Sequence, residues 1–308
     1  MPHGGQVEGM RMPAQLAMTV PRMDRLRLVL GLFKLRIGVV IALTAVAGWA
    51  VASGPPLAAW RVAVMAVAVL LSSASAGAFN QYVERDIDAR MKRTRKRAFV
   101  TGALPHSRAW LWVILLLLAG SVAAAAWATN AMSALFVFLG AFFYAVVYTV
   151  WLKRRTWLNI VVGGLAGSFA VLAGAAAVDP VIGTVPTLLA VVLFLWTPPH
   201  FWSLAMACRQ DYEAAGVPML PVVMGDARCA RAIFAHTLVL VLLSLVPAFL
   251  GLGPLYLVAA LGGGAWFVRA SWRLVRTPGP KAAMINFHAS LLQLSLLLVA
   301  AIVDGAML

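Results

Sequence analysis

The sequence predicts an all-α membrane protein: a nine-transmembrane-helix bundle with a cytoplasmic N-terminus and an active cavity opening toward the cytoplasmic face. Three observations lead there. The chain of 308 residues is 63% apolar and 11% charged, with a mean hydropathy of +0.91, far from the mix of a soluble domain. Nine stretches approach the roughly 20 apolar residues a helix needs to cross hydrocarbon, at about 37–53, 62–83, 110–129, 132–152, 158–178, 185–207, 232–251, 254–272 and 287–304. The bases are also sorted. With nine crossings and the N-terminus inside, 24 of the 25 Lys and Arg fall on the cytoplasmic side, Arg61 being the exception, as the positive-inside rule requires.

Residues 1–30 scatter Met, Arg, Gly and Pro without the apolar core of a signal peptide, and are read as a mobile cytoplasmic tail. Residues 31–308 then form a single polytopic domain. Backbone polar groups in hydrocarbon must be satisfied within the segment, and runs this long without period-2 alternation make helices rather than the strands of a barrel. The linkers around 54–61, 130–131, 179–184 and 252–253 are short and nearly uncharged. Those at 85–108, 153–157, 208–231 and 273–286 carry the bases. The net charge of +15 therefore reflects topology and attraction to an anionic lipid bilayer. No nucleic-acid partner is expected, since no soluble basic domain is present to hold one. Cys208 and Cys229 form no CxxC pair and suggest neither a disulfide nor a zinc site.

The chemistry-bearing residues concentrate in two loops, near 84–108 and 208–231. The first opens as NQYVERDIDARMKRTRKR at 80–97. If the second crossing continues as helix, four-residue steps keep Asn80, Glu84 and Asp88 within about 80° of one another, while Asp86 points roughly 200° away from Glu84. The three share oxygen ligands only, which suits Mg²⁺, a cation that bridges carboxylates to substrate phosphates. Arg90, Lys92, Arg93, Arg95, Lys96 and Arg97 can clamp such phosphates or simply enforce orientation. Pairing of Glu84 and Asp88 with Arg85 and Lys92 at helical spacing is the structural alternative for the acids.

The second loop is reached through TPPHFWSLAMACRQDYEAAGVPMLPVVMG at 197–225. Pro198 and Pro199 interrupt the sixth helix and free backbone carbonyls, which commonly marks a cavity. His200 beside them is either a buried, hydrogen-bonded histidine or a ligand and acid/base group. Asp211 and Glu213 offer a second cation site. Between the loops, in YAVVYTVWLKRRTWLNIVVGG at 144–164, Tyr144 and Tyr148 share a helix face leading to Lys153, Arg154 and Arg155. Interfacial aromatics beside topogenic bases are the alternative there. Gly163, Gly164 and Gly167 read as close helix packing, and no phosphate-binding P-loop is present.

Taken together, these strings resemble the UbiA-type intramembrane prenyltransferases, and within them the heme O synthases, or protoheme farnesyltransferases. The resemblance covers about 30–305 and is most specific in PPHFW and PMLPVV. It implies transfer of a farnesyl group from farnesyl diphosphate, held by Mg²⁺, to a vinyl group of heme b, followed by water addition. It places Asn80, Glu84 and Asp88 in the first metal–diphosphate motif with Asp211 in the second acidic loop. Arg93, Lys153 and Arg154 match its basic positions. His200, with Tyr144 and Tyr148, is assigned to the heme or acceptor pocket. The resemblance also implies a location in the cell inner membrane, with heme A synthase or oxidase assembly factors as partners. Two departures stand out: Ala98 follows Arg97 where the family has proline, and GSFAVLAGAAAVDP replaces a proline-rich segment. Rival readings are prenylation of a quinone precursor or a lipid, and a non-enzymatic transporter or heme-handling protein, whose ionisable residues would be expected nearer the bilayer midplane.

Overall fold

The computed structural model describes residues 22–307, so the expected tail at 1–30 lies largely outside the described residues. From Arg22 the chain is helical. In order, the helices are α1 (Arg22–Leu32), α2 (Leu35–Ala50), α3 (Ala59–Val83), α4 (Arg85–Arg90), α5 (Ala98–Thr101), α6 (Ala109–Ala128), α7 (Ala131–Phe142), α8 (Asn159–Gly163), α9 (Leu165–Val178), α10 (Thr184–Ala207), α11 (Arg209–Ala214), α12 (Leu220–Met224), α13 (Asp226–Leu245), α14 (Pro254–Arg276) and α15 (Pro280–Gly305). A π-helix, Phe143–Leu152, prolongs α7, and a 3₁₀ turn, Val246–Phe249, prolongs α13. No strand occurs among the described residues.

Seven of these units are long and apolar enough to cross a membrane: α3, α6, α7 with its π-helix, α8 with α9, α10, α13 with its 3₁₀ turn, and α15. The pair α1 and α2, bent by 45° at its break, makes an eighth. The sequence count of nine therefore exceeds what length and composition alone support in the folded chain. The difference is α14, whose last two turns carry Arg269, Arg273 and Arg276, although it packs along α13 and α15 like its neighbours.

Prolines open α14 and α15 directly behind glycines, at positions where a missing N–H would have no helical partner. Side-chain volume then sets how closely helices approach. A Cβ on Gly174 of α9 would strike the Ala45 carbonyl of α2, and one on Gly48 would strike the Val171 carbonyl of α9. Only glycine permits that crossing. One core cluster, including Val171, Trp196, Leu240, Tyr256, Phe267 and Leu297, joins α9, α10, α13, α14 and α15. A second gathers Ile87, Met91, Trp202, Tyr212, Met219 and Ile233, and so draws both acidic loops to one end of the bundle. Large apolar side chains such as Leu116, Trp127, Leu242 and Phe249 face outward. An exposed apolar surface of this extent fits contact with lipid.

Candidate active site

The first acidic motif sits where α3 gives way to α4. Glu84 breaks the regular helix (φ −91°, ψ 17°), yet the i to i+4 ladder persists: the Glu84 N–H donates to the Asn80 carbonyl (3.0 Å) and the Asp88 N–H to the Glu84 carbonyl (2.8 Å). The spacing argument therefore survives the break. Asn80, Glu84 and Asp88 are 3%, 1% and 2% exposed, which is costly for carboxylates unless each has a partner.

Each carboxylate finds one on a distant element. Lys153, just past the π-helix, donates to Glu84 Oε2 (2.5 Å), and Arg97 donates to Asp88 Oδ2 (2.6 Å). The helical-spacing pairs with Arg85 and Lys92 are not formed. Asn80 is held from two sides: its Oδ1 accepts from Lys34 Nζ (3.0 Å) and its Nδ2 donates to Thr149 Oγ1 (3.2 Å). Lys34 also reaches the Tyr144 hydroxyl (3.4 Å). The π-helix explains why Thr149 reaches Asn80 while Tyr144 reaches the lysine bound to that asparagine. Its wider turn brings residues five apart together, with the Thr149 hydroxyl donating to the Tyr144 carbonyl (2.8 Å) and the Lys153 N–H to the Tyr148 carbonyl (2.9 Å). π-Helical segments recur at functional sites. The Tyr144 and Tyr148 rings stack at 5.6 Å, and Gly163 leaves the space that Tyr148 fills, since a Cβ there would lie 2.9 Å from its ring.

Other expected residues are placed elsewhere. Asp211 accepts the backbone N–H of Lys92 and of Arg93 (both 3.1 Å), so it ties the second loop to the first. Arg93 itself has an exposed side chain. Arg154 forms a two-pronged pair with Asp86 (2.8 and 2.9 Å) on the surface, and that hydrogen bonding holds the Asp86 carboxyl below its usual range. Glu213 pairs with Arg209 (2.6 Å). His200 is buried in α10, stacked between Trp196 (4.1 Å) and Phe287 (4.3 Å), with Nδ1 2.7 Å from Ser290 Oγ. The Ser290 hydroxyl already gives its single proton to the Phe287 carbonyl (2.6 Å). In the tautomer whose Nδ1 donates to Ser290 Oγ, Nε2 keeps its lone pair.

One contributor escapes the sequence reading, and a second is named there only as one of six bases able to clamp phosphate. Lys34 sits ahead of an apolar run and reads there as one more orienting base. Arg97 lies among six bases with nothing in the spacing to single it out.

The group fits a hard cation chemically. All three motif residues offer oxygen, and Glu84 Oε1 is buried without a hydrogen-bond partner. Among the described residues no three His, Cys, Asp or Glu side chains converge as a ready-made metal cage. That matches a cation such as Mg²⁺, which takes one or two carboxylates and completes its shell with water and phosphate oxygens. Lys34, Arg97 and Lys153 are the cations that lie on the three motif side chains.

The chain is similar to known proteins over most of its length. Residues 41–297 match the model of the UbiA prenyltransferase family. Protoheme IX farnesyltransferase 2 of Paramagnetospirillum magneticum is 57% identical over 279 residues, covering 91% of this chain and 97% of the relative. Protoheme IX farnesyltransferase 1 of the same organism is 48% identical over 276 residues, covering 89% and 96%. Among solved structures, a digeranylgeranylglyceryl phosphate synthase superposes with TM-score 0.75 at 17% identity, covering 93% of this chain and all of that one. A UbiA homolog from Archaeoglobus fulgidus bound to DMAPP and Mg²⁺ gives 0.65 at 18%, covering 90% and 98%. The chain belongs to the UbiA prenyltransferase family, among its protoheme IX farnesyltransferases.

Proposed function

We propose that this chain transfers the farnesyl group of farnesyl diphosphate to a vinyl group of heme b and, with addition of water, forms heme O. The observation that carries the reading is the buried cluster of Asn80, Glu84 and Asp88 with Lys34, Arg97 and Lys153. It supplies metal ligands and phosphate-binding cations in one place. Mg²⁺ would be held by Glu84, Asp88 and Asn80, where it neutralises charge developing on the departing diphosphate.

The protein's own contributions follow from placement. Lys153, Arg97 and Lys34 bind the diphosphate oxygens, and their charge stabilises the leaving group as the C–O bond breaks. The stacked Tyr144 and Tyr148 wall the space beside them and shield an allylic cation from early attack by water. The heme vinyl carbon bonds to the farnesyl C1. Water then adds its hydroxyl to the resulting cation and releases a proton. His200 keeps an Nε2 lone pair for the heme iron or for that proton, in a pocket walled by Trp196 and Phe287. Asp211 holds the backbone at Lys92 and Arg93, presenting Arg93 and Arg97 toward the diphosphate, and takes up metal in the loaded site. Arg154 keeps Asp86 turned away from the cluster.

The topology completes the reading. α14 serves as the ninth crossing, its arginines at the cytoplasmic surface. The N-terminus and the site both face the cytoplasm across the inner membrane, and heme O passes to heme A synthase or to oxidase assembly. The test is incubation of purified protein with heme b, farnesyl diphosphate and Mg²⁺, with mass spectrometric detection of the hydroxyethylfarnesyl heme. Asp88→Asn is expected to abolish that product while leaving the bundle folded. Turnover of an aromatic acid or a lipid acceptor in place of heme b would refute the acceptor assignment.

A further inference from the structure

We infer that Gln81 is a positioning residue for the diphosphate site and acts through Lys34. This rests on the reading of that cluster as a diphosphate site. The chain between α1 and α2 turns at Lys34, the only non-glycine residue with positive φ among those described (φ 48°, ψ 42°). A lysine in the left-handed region is held there by its surroundings rather than by its own preference. The surroundings are one face of α3. Gln81 Nε2 donates to the Leu32 carbonyl (2.8 Å) and lies within reach of the Gly31 carbonyl (3.3 Å), which pins the end of α1. The stem of Lys34 runs along Gly77, where a Cβ would lie 3.5 Å from Lys34 Cδ, and its amine ends on Asn80.

Gly77, Asn80, Gln81 and Glu84 are spaced i, i+3, i+4 and i+7, so they form a single stripe of α3. That stripe holds the end of α1, two residues before Lys34, with one residue, lies along the lysine stem with another and binds its amine with a third, and then carries the metal motif onward. Gln81 is itself buried. Among the described residues its amide bonds only the Leu32 and Gly31 carbonyls, at the α1 end.

The experiment is a double-mutant cycle of Gln81→Leu and Lys34→Met, read by calorimetric binding of farnesyl thiodiphosphate with Mg²⁺ and by KM and kcat for both substrates. Gln81→Leu is expected to weaken farnesyl diphosphate binding by about 10- to 100-fold, as loss of a supporting hydrogen-bond partner does, with the KM for heme b unchanged. In the Lys34→Met background the same change is expected to add nothing. Equal losses in both backgrounds, or a loss of heat resistance with unchanged KM, would overturn the inference. Gln81→Met, of equal length and without the amide, provides the same cycle if the leucine variant does not fold. If the wild type fails to bind the diphosphate analogue, the proposed function falls with this inference. If the wild type binds and Gln81→Leu matches it, only the role of Gln81 falls.

Discussion

Glu84 and Lys153 form the pair on which stability and function make opposite demands. The Glu84 side chain is 1% exposed and that of Lys153 11%, and Glu84 Oε1 already lacks a partner. Lys153→Leu leaves a buried carboxylate with neither oxygen paired, and breaking a buried pair in this way costs about 3–5 kcal/mol. Glu84→Leu is milder, about 1–2 kcal/mol, because the long lysine stem can carry its ammonium toward solvent. Replacing both by leucine removes the desolvation penalty on each side, and such replacements are often neutral or stabilising. The double variant is therefore expected within about 1 kcal/mol of the wild type, giving a coupling of at least about 3 kcal/mol, at or above the upper end for residues in contact. Unfolding by SDS titration in mixed micelles measures the cycle, and heme farnesylation measures function. The stable double variant should be inactive, since a metal ligand and a phosphate cation are both gone. A double variant whose destabilisation equals the two single effects added together would refute the claim that the pair is coupled in the folded state.

Three further outcomes follow from other contacts. Asp211→Asn weakens the two backbone hydrogen bonds at Lys92 and Arg93, so the KM for farnesyl diphosphate should rise about 10-fold with the melting temperature nearly unchanged; steady-state kinetics and a thermal scan check this. Gly174→Ala should destabilise by about 1–3 kcal/mol, the usual cost of overpacking, because its methyl meets backbone of α2 rather than a movable side chain; SDS unfolding measures it, and an unchanged midpoint would mean that α2 and α9 separate freely. Arg154→Gln removes an exposed pair worth about 0–1 kcal/mol. Since Arg154 lowers the Asp86 pKa in the folded state, its contribution is present above the unfolded value near 3.8 and is lost as pH falls through the lower folded value. The variant and the wild type should therefore differ slightly at pH 7 and converge in acid, when thermal midpoints are compared across pH.

The sequence made the membrane class readable because hydrocarbon imposes a strong, local rule on every crossing, and it made the first motif readable because four-residue helical spacing is nearly independent of what packs around it. Asn80, Glu84 and Asp88 do share a buried face. What it did not specify was partnership. Asp86 drops out of that face on helical geometry, and its link to Arg154, 68 residues away, depends on how α3 and the π-helix approach. Lys153 was singled out by its place after the two tyrosines, but its choice of Glu84 depends on a π-helix whose wider turn has no signature in residue type. Lys34 was the least visible. It has a backbone conformation unusual for lysine, and the contacts around it come from Gln81 on the end of α1 and Gly77 along its stem, on a helix more than 40 positions downstream.

The same partnerships explain how so oily a chain tolerates its acids. Both carboxylates of the first motif are matched by bases from separate elements: Glu84 by Lys153 beyond the π-helix, and Asp88 by Arg97 from the loop before α5, while the buried Asp304 accepts the Tyr256 N–H instead. Lys34 adds a third cation on Asn80. Without ligand, then, the cluster carries two negative and three positive side chains, close to neutral for a site in low dielectric. A diphosphate alone would bring excess negative charge and a divalent cation alone would compete with the bases for the carboxylates. On the proposed function, arrival of both together would let the carboxylates turn to the metal and the bases to the phosphates, with every charge still paired. An arrangement of this kind favours a metal–diphosphate complex over either component. It also accounts for why bases reach the motif from three separate parts of the chain, since bases on one helix would be anchored too similarly to turn from acid to phosphate independently.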